Sequence, residues 1–247
     1  DALGDIFIDD LAALGIQPLV SVTPELSGLH TGTCLSLITP DAQRTMCTHL
    51  GAAQKLSAAD ISLQDMRDAD IIFLEGYLLD APGGYDIFRA AIAARPRTLS
   101  LTLSDARCVA RHAAFIDEIL GKIDLLFGNE EEMMALFPEA RDARHATAIA
   151  ASHITRVICT HGAQGVYIAE NRHITHLPAV KVDVVDTTGA GDSLAGTVLW
   201  ALADGRDFFA GARMALRVAS EVISEIGARP SCDLRTMLQS EGYFVAA

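Results

Sequence analysis

The chain has 247 residues, half of them hydrophobic, which is enough for one large α/β domain with a substantial core. Its net charge of −13 argues against a nucleic-acid partner, because phosphate neutralisation needs clustered Lys and Arg, and the sequence has no such cluster. No run approaches the roughly 18 apolar residues of a membrane span, so a membrane partner is not expected either.

The cysteines indicate a reducing compartment. Their number is odd, they are widely spaced, and no pair has metal-ligand spacing. We therefore expect a cytoplasmic protein without disulfides. The five are Cys34, Cys47, Cys108, Cys159 and Cys232.

The first part of the chain predicts a helix followed by a hairpin. Apolar residues recur at helical spacing between Leu3 and Leu14. Residues 34–38 and 44–49 then alternate, and the segment between them contains Pro and Asp, which is typical of a β-hairpin turn. From the residues alone, an ordinary edge hairpin is the preferred interpretation.

From Asp70 onward, apolar strands alternate with helical segments, which predicts parallel pairing with right-handed crossovers. Ligands of such open sheets bind at the carboxyl ends of the strands. Polar segments follow three of the predicted strands, so we expect these segments to form one site. The predicted strands cover residues 71–74 (buried), 97–103, 123–127, 157–159 and 180–185, with a hairpin of 165–169 and 173–177 and helices over 85–94 and 209–226.

The turn after residues 180–185 has the composition of an anion site. A strand that passes through glycines into a helix leaves unpaired N–H groups at the helix start, with the positive end of the helix dipole behind them. Gly189 and Gly191 have no side chains to keep a phosphate from the backbone. Neither a Walker sequence nor the dinucleotide-binding glycine spacing is present, so phosphate binding must rest on this turn.

Asp192 follows this turn directly, although a carboxylate repels an anion bound beside it. One interpretation is a helix cap that satisfies free N–H groups. The other is a general base that takes a proton from a hydroxyl attacking a phosphorus atom, while the amides stabilise the developing charge. The residues alone favour neither alternative.

Two further polar segments have equally simple structural interpretations. Asn129 and the three Glu that follow it open a predicted helix, where Asn is a good cap and acidic residues complement the dipole. Thr160, Gly162 and Gly165 fit a turn before a hairpin. Glu75, at the end of a strand, either contacts a substrate or caps the following turn.

Three segments together resemble the ribokinase (PfkB) family of ATP-dependent small-molecule kinases. Residues 186–192, Asp-Thr-Thr-Gly-Ala-Gly-Asp, match its second signature residue for residue. Residues 129–132 are similar to its Asn-x-x-Glu magnesium motif, and residues 160–165 to its nucleotide loop. The resemblance implies one ribokinase-like α/β domain over residues 1–247: a mainly parallel sheet flanked by helices in a Rossmann-like three-layer sandwich. Residues 17–55 would form a small β lid over the acceptor.

The resemblance also implies residue roles. Asp192 becomes the catalytic base, and the amides of Gly189, Ala190 and Gly191 form the anion hole. Glu132 acts on Mg²⁺ through water, since this ion keeps several waters. Asp186 and Thr188 border a monovalent cation, K⁺. The implied ATP contacts are Asn129, Thr160, Gly162, Gly165, Gly189 and Gly191.

The acceptor is less well defined by the sequence. Residues 1–4 are similar to the end of the family's first signature, so the family's acceptor-binding Asp and Gly-Gly motif are expected to be missing and sheet edge and core to be exposed. Residues 31–34, 39–46 and 73–77 look most like bacterial adenosine-kinase-like members. The implied reaction transfers the γ-phosphoryl of MgATP to a primary hydroxyl of a nucleoside or sugar, in a monomer or homodimer. The alternatives are a ribose or fructose kinase, and a truncated, catalytically silent nucleotide-binding protein.

Overall fold

A computed structural model describes residues 1–19, 28–39 and 44–244, without the side chain of Arg44. Residues 40–43 of the predicted hairpin turn lie outside this part. The helices are α1 Ala2–Ala13, α2 Leu63–Asp68, α3 Gly84–Ala94, α4 Ala106–Ile119, α5 Glu130–Leu136, α6 Ala143–Ala150, α7 Ala190–Ala203, α8 Phe208–Val222 and α9 Leu234–Ser240. The strands are β1 Thr33–Ile38, β2 Arg44–His49, β3 Ile71–Glu75, β4 Thr98–Thr102, β5 Leu125–Asn129, β6 Arg156–Thr160, β7 Val166–Glu170 and β8 His173–Leu177.

The larger sheet has six strands in the order β3-β4-β5-β6-β7-β8. The first four are parallel, as the alternation of strands and helices predicts, and β7 and β8 are antiparallel additions at one edge. β3 forms the opposite edge. The prediction that β3 is a buried strand was wrong: within it Leu74 is buried, whereas Phe73 is 41% exposed, because an edge strand lacks a neighbour on one side.

Helices cover both faces of this sheet, so the fold has three layers. Side chains alternate along each strand between the two faces. In β5, Leu126 packs with α3 to α6 on one side, whereas Leu125 and Phe127 pack with α7 and α8 on the other. In β6, Ile158 likewise faces α7 and α8. The predicted three-layer α/β architecture is therefore confirmed.

The helix starts follow from local sequence. α4, α6, α8 and α9 each begin directly after an Asp whose carboxylate accepts backbone N–H groups of the first turn, which satisfies donors that have no partner inside the helix. These caps are Asp105, Asp142, Asp207 and Asp233. No helix of the described residues is long and apolar enough to cross a bilayer.

The predicted hairpin is present as a separate two-stranded sheet, β1 with β2. It leaves large apolar side chains on its surface, among them Leu35 at 62% and Met46 at 52% exposed. Helix α1 is also exposed, and none of its residues is buried. All five cysteines are free thiols.

Two predicted elements near the site differ in the structure. Residues 180–185 are not a strand, and α8 ends at Val222 rather than at residue 226. Both differences have one cause. The backbone N–H groups of Val185 and Asp186 donate to the carbonyl of Ile223, at 2.8 and 3.3 Å, so this segment caps the end of α8 instead of joining the sheet.

Candidate active site

A cavity of about 380 Å³ lies at the carboxyl ends of β3 to β6 and at the start of α7, a volume within the usual range for small-molecule sites. Strand register brings its walls together: Glu75 pairs with Thr102, and Asn129 pairs with Thr160. Met46 of the hairpin also lines the cavity, which supports the predicted lid position of β1 and β2.

The anion turn begins at Gly189, which precedes α7 and has φ of 79°. A Cβ atom at this position would lie 2.7 Å from the carbonyl oxygen of Ala228. Glycine is therefore required here both by the left-handed backbone and by close packing. The helix starts immediately afterwards at Ala190, whose N–H donates to the Thr187 carbonyl at 3.3 Å. Gly191 and Asp192 also line the cavity, and their N–H groups have no intrahelical acceptors.

Asp192 is the third residue of α7 and lines the cavity with an exposed side chain. The cap interpretation of Asp192 was wrong, because Gly189 occupies the N-cap position and α7 has no side-chain cap. The carboxylate still complements the helix dipole from the first turn. It is thus available for chemistry in the cavity.

Asp186 is buried, at 1% exposure, and its carboxylate binds the backbone of the anion turn. Its Oδ1 accepts hydrogen bonds from the backbone N–H and the hydroxyl of Thr188, at 2.9 and 2.6 Å. Its Oδ2 accepts from the N–H of Gly227 at 2.9 Å. These contacts show a structural role, and the K⁺ site predicted at Asp186 and Thr188 stays a prediction.

Asn129 and Glu132 form a reciprocal cap at the start of α5. Asn129 Oδ1 accepts from the N–H of Glu132 at 2.9 Å, and Glu132 Oε2 accepts from the N–H of Asn129 at 3.0 Å. The Asn129 side chain also donates to Glu132 Oε1 at 2.6 Å. The cap predicted for Asn129 is therefore confirmed. The predicted magnesium contact of Glu132 stays a prediction.

Glu132 stays the predicted magnesium contact, and its surroundings are acidic. Its carboxyl lines the cavity, and burial raises its pKa, as do the charges of Asp105 and Glu131, against the lowering effect of the Asn129 N–H. A bound cation would offset this accumulation of negative charge. Mg²⁺ prefers hard oxygen ligands and needs few carboxylates, because waters complete its shell. The donor set therefore fits Mg²⁺.

The three residues predicted for the nucleotide loop are placed differently. Thr160 ends β6 and lines the cavity. Gly162, with φ of 51°, is exposed in the loop beyond it. Gly165 has φ of 100°, and a Cβ atom there would lie 2.1 Å from the Leu177 carbonyl oxygen, which makes it a turn residue that allows β7 and β8 to meet. The cavity wall therefore includes Thr160 but neither of these glycines, whose ATP contacts stay predictions.

The model of the pfkB family of carbohydrate kinases matches residues 1–235. The chain belongs to this family. Among curated relatives, a ribokinase from Bacillus subtilis is 32% identical over 122 residues, which are 49% of this chain and 40% of that protein. An adenosine kinase from Dictyostelium discoideum is 25% identical over 220 residues, 82% of this chain and 64% of that protein. The chain thus matches less than two thirds of the length of these relatives.

Two solved structures are similar over nearly the whole chain. A probable sugar kinase from Rhizobium etli superimposes with a TM-score of 0.90 at 30% identity, covering 99% of this chain and 75% of that one. An adenosine kinase from Sinorhizobium meliloti has a TM-score of 0.89 at 30% identity, covering 98% and 75%. They confirm the ribokinase-like fold.

Sequence reasoning missed several cavity residues of this pfkB chain. Glu75 was left undecided, and the structure places it in the cavity, where burial and the charge of Asp192 raise its pKa. Tyr77 and Ser104 also line the cavity and were not predicted. Their one sequence signal is their position just after β3 and β4, since ligands of parallel sheets bind at strand carboxyl ends.

Proposed function

We propose that this protein transfers the γ-phosphoryl group of MgATP to a primary hydroxyl of a nucleoside, with adenosine as the first candidate. The observation that carries the proposal is the position of Asp192 in the first turn of α7, inside the cavity and directly after the glycine anion turn. A carboxylate at this position has no capping role. A general base for an attacking hydroxyl accounts for it.

In the proposed reaction, Asp192 takes the proton of the acceptor hydroxyl as its oxygen attacks the γ-phosphorus. The bond to the β–γ bridging oxygen breaks, and ADP leaves with that oxygen. The N–H groups of Gly189, Ala190 and Gly191 would stabilise the charge that spreads over the transferring group, with the Ala190 N–H shared with the Thr187 carbonyl, because positioning and electrostatics dominate this chemistry. Glu132 would hold Mg²⁺ through water, and the ion would supply neutralisation of the phosphate charge.

The residues that line the cavity suggest which groups bind each substrate. Asn129, Thr160 and the start of α7 lie together and suit the triphosphate. Glu75 and Tyr77 line the same cavity together with Met46 of the hairpin, and Glu75 senses the charge of Asp192. A carboxylate and a phenol beside the base are suitable partners for the hydroxyls of a ribose or other sugar.

Adenosine and a free sugar remain the two competing acceptors. The likeness to an adenosine kinase favours the nucleoside, and the equally strong likeness to a probable sugar kinase favours ribose or fructose. A protein that binds ATP without turnover is the third outcome. In each case we expect the nucleotide to be ATP with Mg²⁺, and the protein to be a monomer or homodimer.

The test is ATP consumption by the full protein with Mg²⁺ over adenosine, other nucleosides, ribose and fructose, with product mass determined. We expect one acceptor to gain a single phosphoryl group. Phosphorylated ribose or fructose without phosphorylated nucleoside would establish the sugar kinase instead. ATP binding by a folded sample without any product would contradict the proposed reaction.

A further inference from the structure

The chain between Glu75 and Tyr77 is fixed by an unusual set of contacts at Gly76. The N–H of Gly76 donates to Ser104 Oγ at 3.0 Å, and the carbonyl of Gly76 accepts from Cys108 Sγ at 3.3 Å. Gly76 is buried, and a Cβ atom there would lie 2.4 Å from the carbonyl oxygen of Leu103. Both peptide groups that flank Gly76 are therefore held by side chains.

Ser104 adopts a backbone conformation that serine rarely adopts. Its φ is 70°, in the left-handed region, where a residue other than glycine is strained. Its hydroxyl accepts from Gly76 and also donates to the carbonyl of Thr102 at 3.4 Å. Glycine would relieve the strain but would lose both bonds, so the serine hydroxyl accounts for the choice of residue.

Cys108 is a matching donor on the first turn of α4. The thiol is 1% exposed, and burial, together with the nearby charge of Asp80, raises its pKa to about 11. It therefore stays protonated at neutral pH and can donate to the Gly76 carbonyl. An alanine at this position would leave that buried carbonyl without its thiol donor, which is unfavourable.

Helix α4, which carries Cys108, also contacts the far end of the segment that begins at Glu75. The short 3₁₀ helix Gly76–Asp80 ends at Asp80, whose carboxylate accepts from Arg111 at 2.6 and 3.1 Å and contacts His112 Nε2 at 2.8 Å. Asp80, Cys108 and His112 offer ligand atoms within 4.8 Å of one another, as a metal site would. Because the Arg111 guanidinium already pairs with Asp80, this cluster is better explained as a scaffold for the segment.

We infer that Ser104 and Cys108 are positioning residues that hold Glu75 and Tyr77 in place for the acceptor. This inference rests on the proposed function. Neither hydrogen bond involves the anion turn or the Asn129–Glu132 pair, so loss of either bond should change acceptor binding more than ATP binding. The expected signature is a change in the acceptor KM with little change in the ATP KM.

The first measurement does not depend on activity. Exchange of the Gly76 amide hydrogen is followed by NMR in the full protein, in wild type and in Ser104→Ala, Ser104→Gly and Ser152→Ala. We expect Gly76 exchange about tenfold faster in both Ser104 variants, because the acceptor of its N–H is gone. Ser152 is an exposed matched control whose hydroxyl bonds to the Ile149 carbonyl, and its variant should match wild type.

The second measurement is the KM for adenosine and for ATP. Ser104→Ala and Cys108→Ala should raise the adenosine KM about five- to tenfold, the loss typical of one hydrogen bond, with the ATP KM within about twofold. Cys108→Ser retains a hydrogen-bond donor, so its adenosine KM should be close to that of wild type. If the wild-type protein phosphorylates no acceptor, the adenosine dissociation constant measured by calorimetry replaces the KM. The positioning inference can then still be tested even though the proposed function has failed. Unchanged Gly76 exchange, or an ATP KM that rises as much as the adenosine KM, would overturn the inference.

Discussion

The carboxylate of Asp186 joins two segments of the site that are 41 residues apart, because its Oδ2 accepts the N–H of Gly227 at 2.9 Å. Its other oxygen holds the Thr188 backbone and hydroxyl. Buried at 1% exposure, it connects the anion turn to the segment after α8.

Asp186→Ala should therefore lower the free energy of unfolding by about 2–4 kcal/mol, since three donors would lose a charged acceptor. Chemical denaturation measures this change. Asp183→Ala is the matched control, because Asp183 is exposed in the same segment, and a change within about 0.5 kcal/mol is expected there. An equal loss in both variants would show that the hydrogen bonds of Asp186 to Thr188 and Gly227 do not stabilise the fold.

Gly189→Ala should cost more than a left-handed backbone alone explains. The φ of 79° costs about 1 kcal/mol in any non-glycine residue, and the contact with the Ala228 carbonyl adds to it. Gly205→Ala separates the two effects, because Gly205 has φ of 73° and open space around its Cβ position. Equal destabilisation of the two variants would show that the close packing is unimportant. We also expect weaker ATP binding in Gly189→Ala alone, measured by calorimetry.

Asp192→Asn should lower kcat by about 10²–10⁴-fold, the range typical of a lost general base. The dissociation constant for ATP should stay within a few-fold of wild type, because the anion turn is unchanged. Single-turnover kinetics and calorimetry measure the two quantities. Asp204→Asn, in the exposed turn that ends α7, is the control. Turnover near the wild-type rate in Asp192→Asn would refute the base assignment.

Glu132→Gln should raise the Mg²⁺ concentration needed for half-maximal activity. Glutamine can keep the backbone cap with Asn129 but loses the bond from the Asn129 side chain and the charge that attracts the ion. Stability should therefore change by less than about 1 kcal/mol. Glu131→Gln provides the comparison, because Glu131 is exposed beside it. The same Mg²⁺ dependence in both variants would leave Glu132 with only its capping role.

Glu75 should make stability depend on pH in a defined direction. Burial and then the charge of Asp192 raise the pKa of this carboxyl above 4.5. The protonated form of Glu75 is thus favoured in the folded state. Its contribution to the free energy of unfolding is fully present below pH 4.5 and is lost as the pH rises through the folded-state pKa. Glu75→Gln should stabilise the protein at pH 7, by under about 1 kcal/mol because water screens this accessible side chain.

The gain should disappear below pH 4.5, which denaturation at pH 4 and pH 7 would show. The same variant should weaken acceptor binding, because the cavity loses a carboxylate. Destabilisation of Glu75→Gln at pH 7 would contradict the repulsion between Glu75 and Asp192.

Local patterns in the sequence were sufficient for most elements of the fold. Alternating apolar strands and helices predicted the parallel core β3 to β6, and the hairpin of β7 and β8 followed from its turn. The glycine turn before α7 was equally clear, because glycine is needed wherever φ is positive or packing is close. These features depend on interactions between residues near in sequence, which is why a pattern of residues can predict them.

Contacts between distant residues decided the remainder. Residues 180–185 have the composition of a strand, yet they cap α8 through Ile223. Glu75 and Tyr77 line the cavity, and Ser104 and Cys108, about 30 residues further along the chain, bind the peptide groups between them. Sequence alone determined the family, the anion turn and the candidate base. Tertiary structure decided which strand ends meet and which backbone groups find partners, because those contacts depend on packing between segments far apart in the chain.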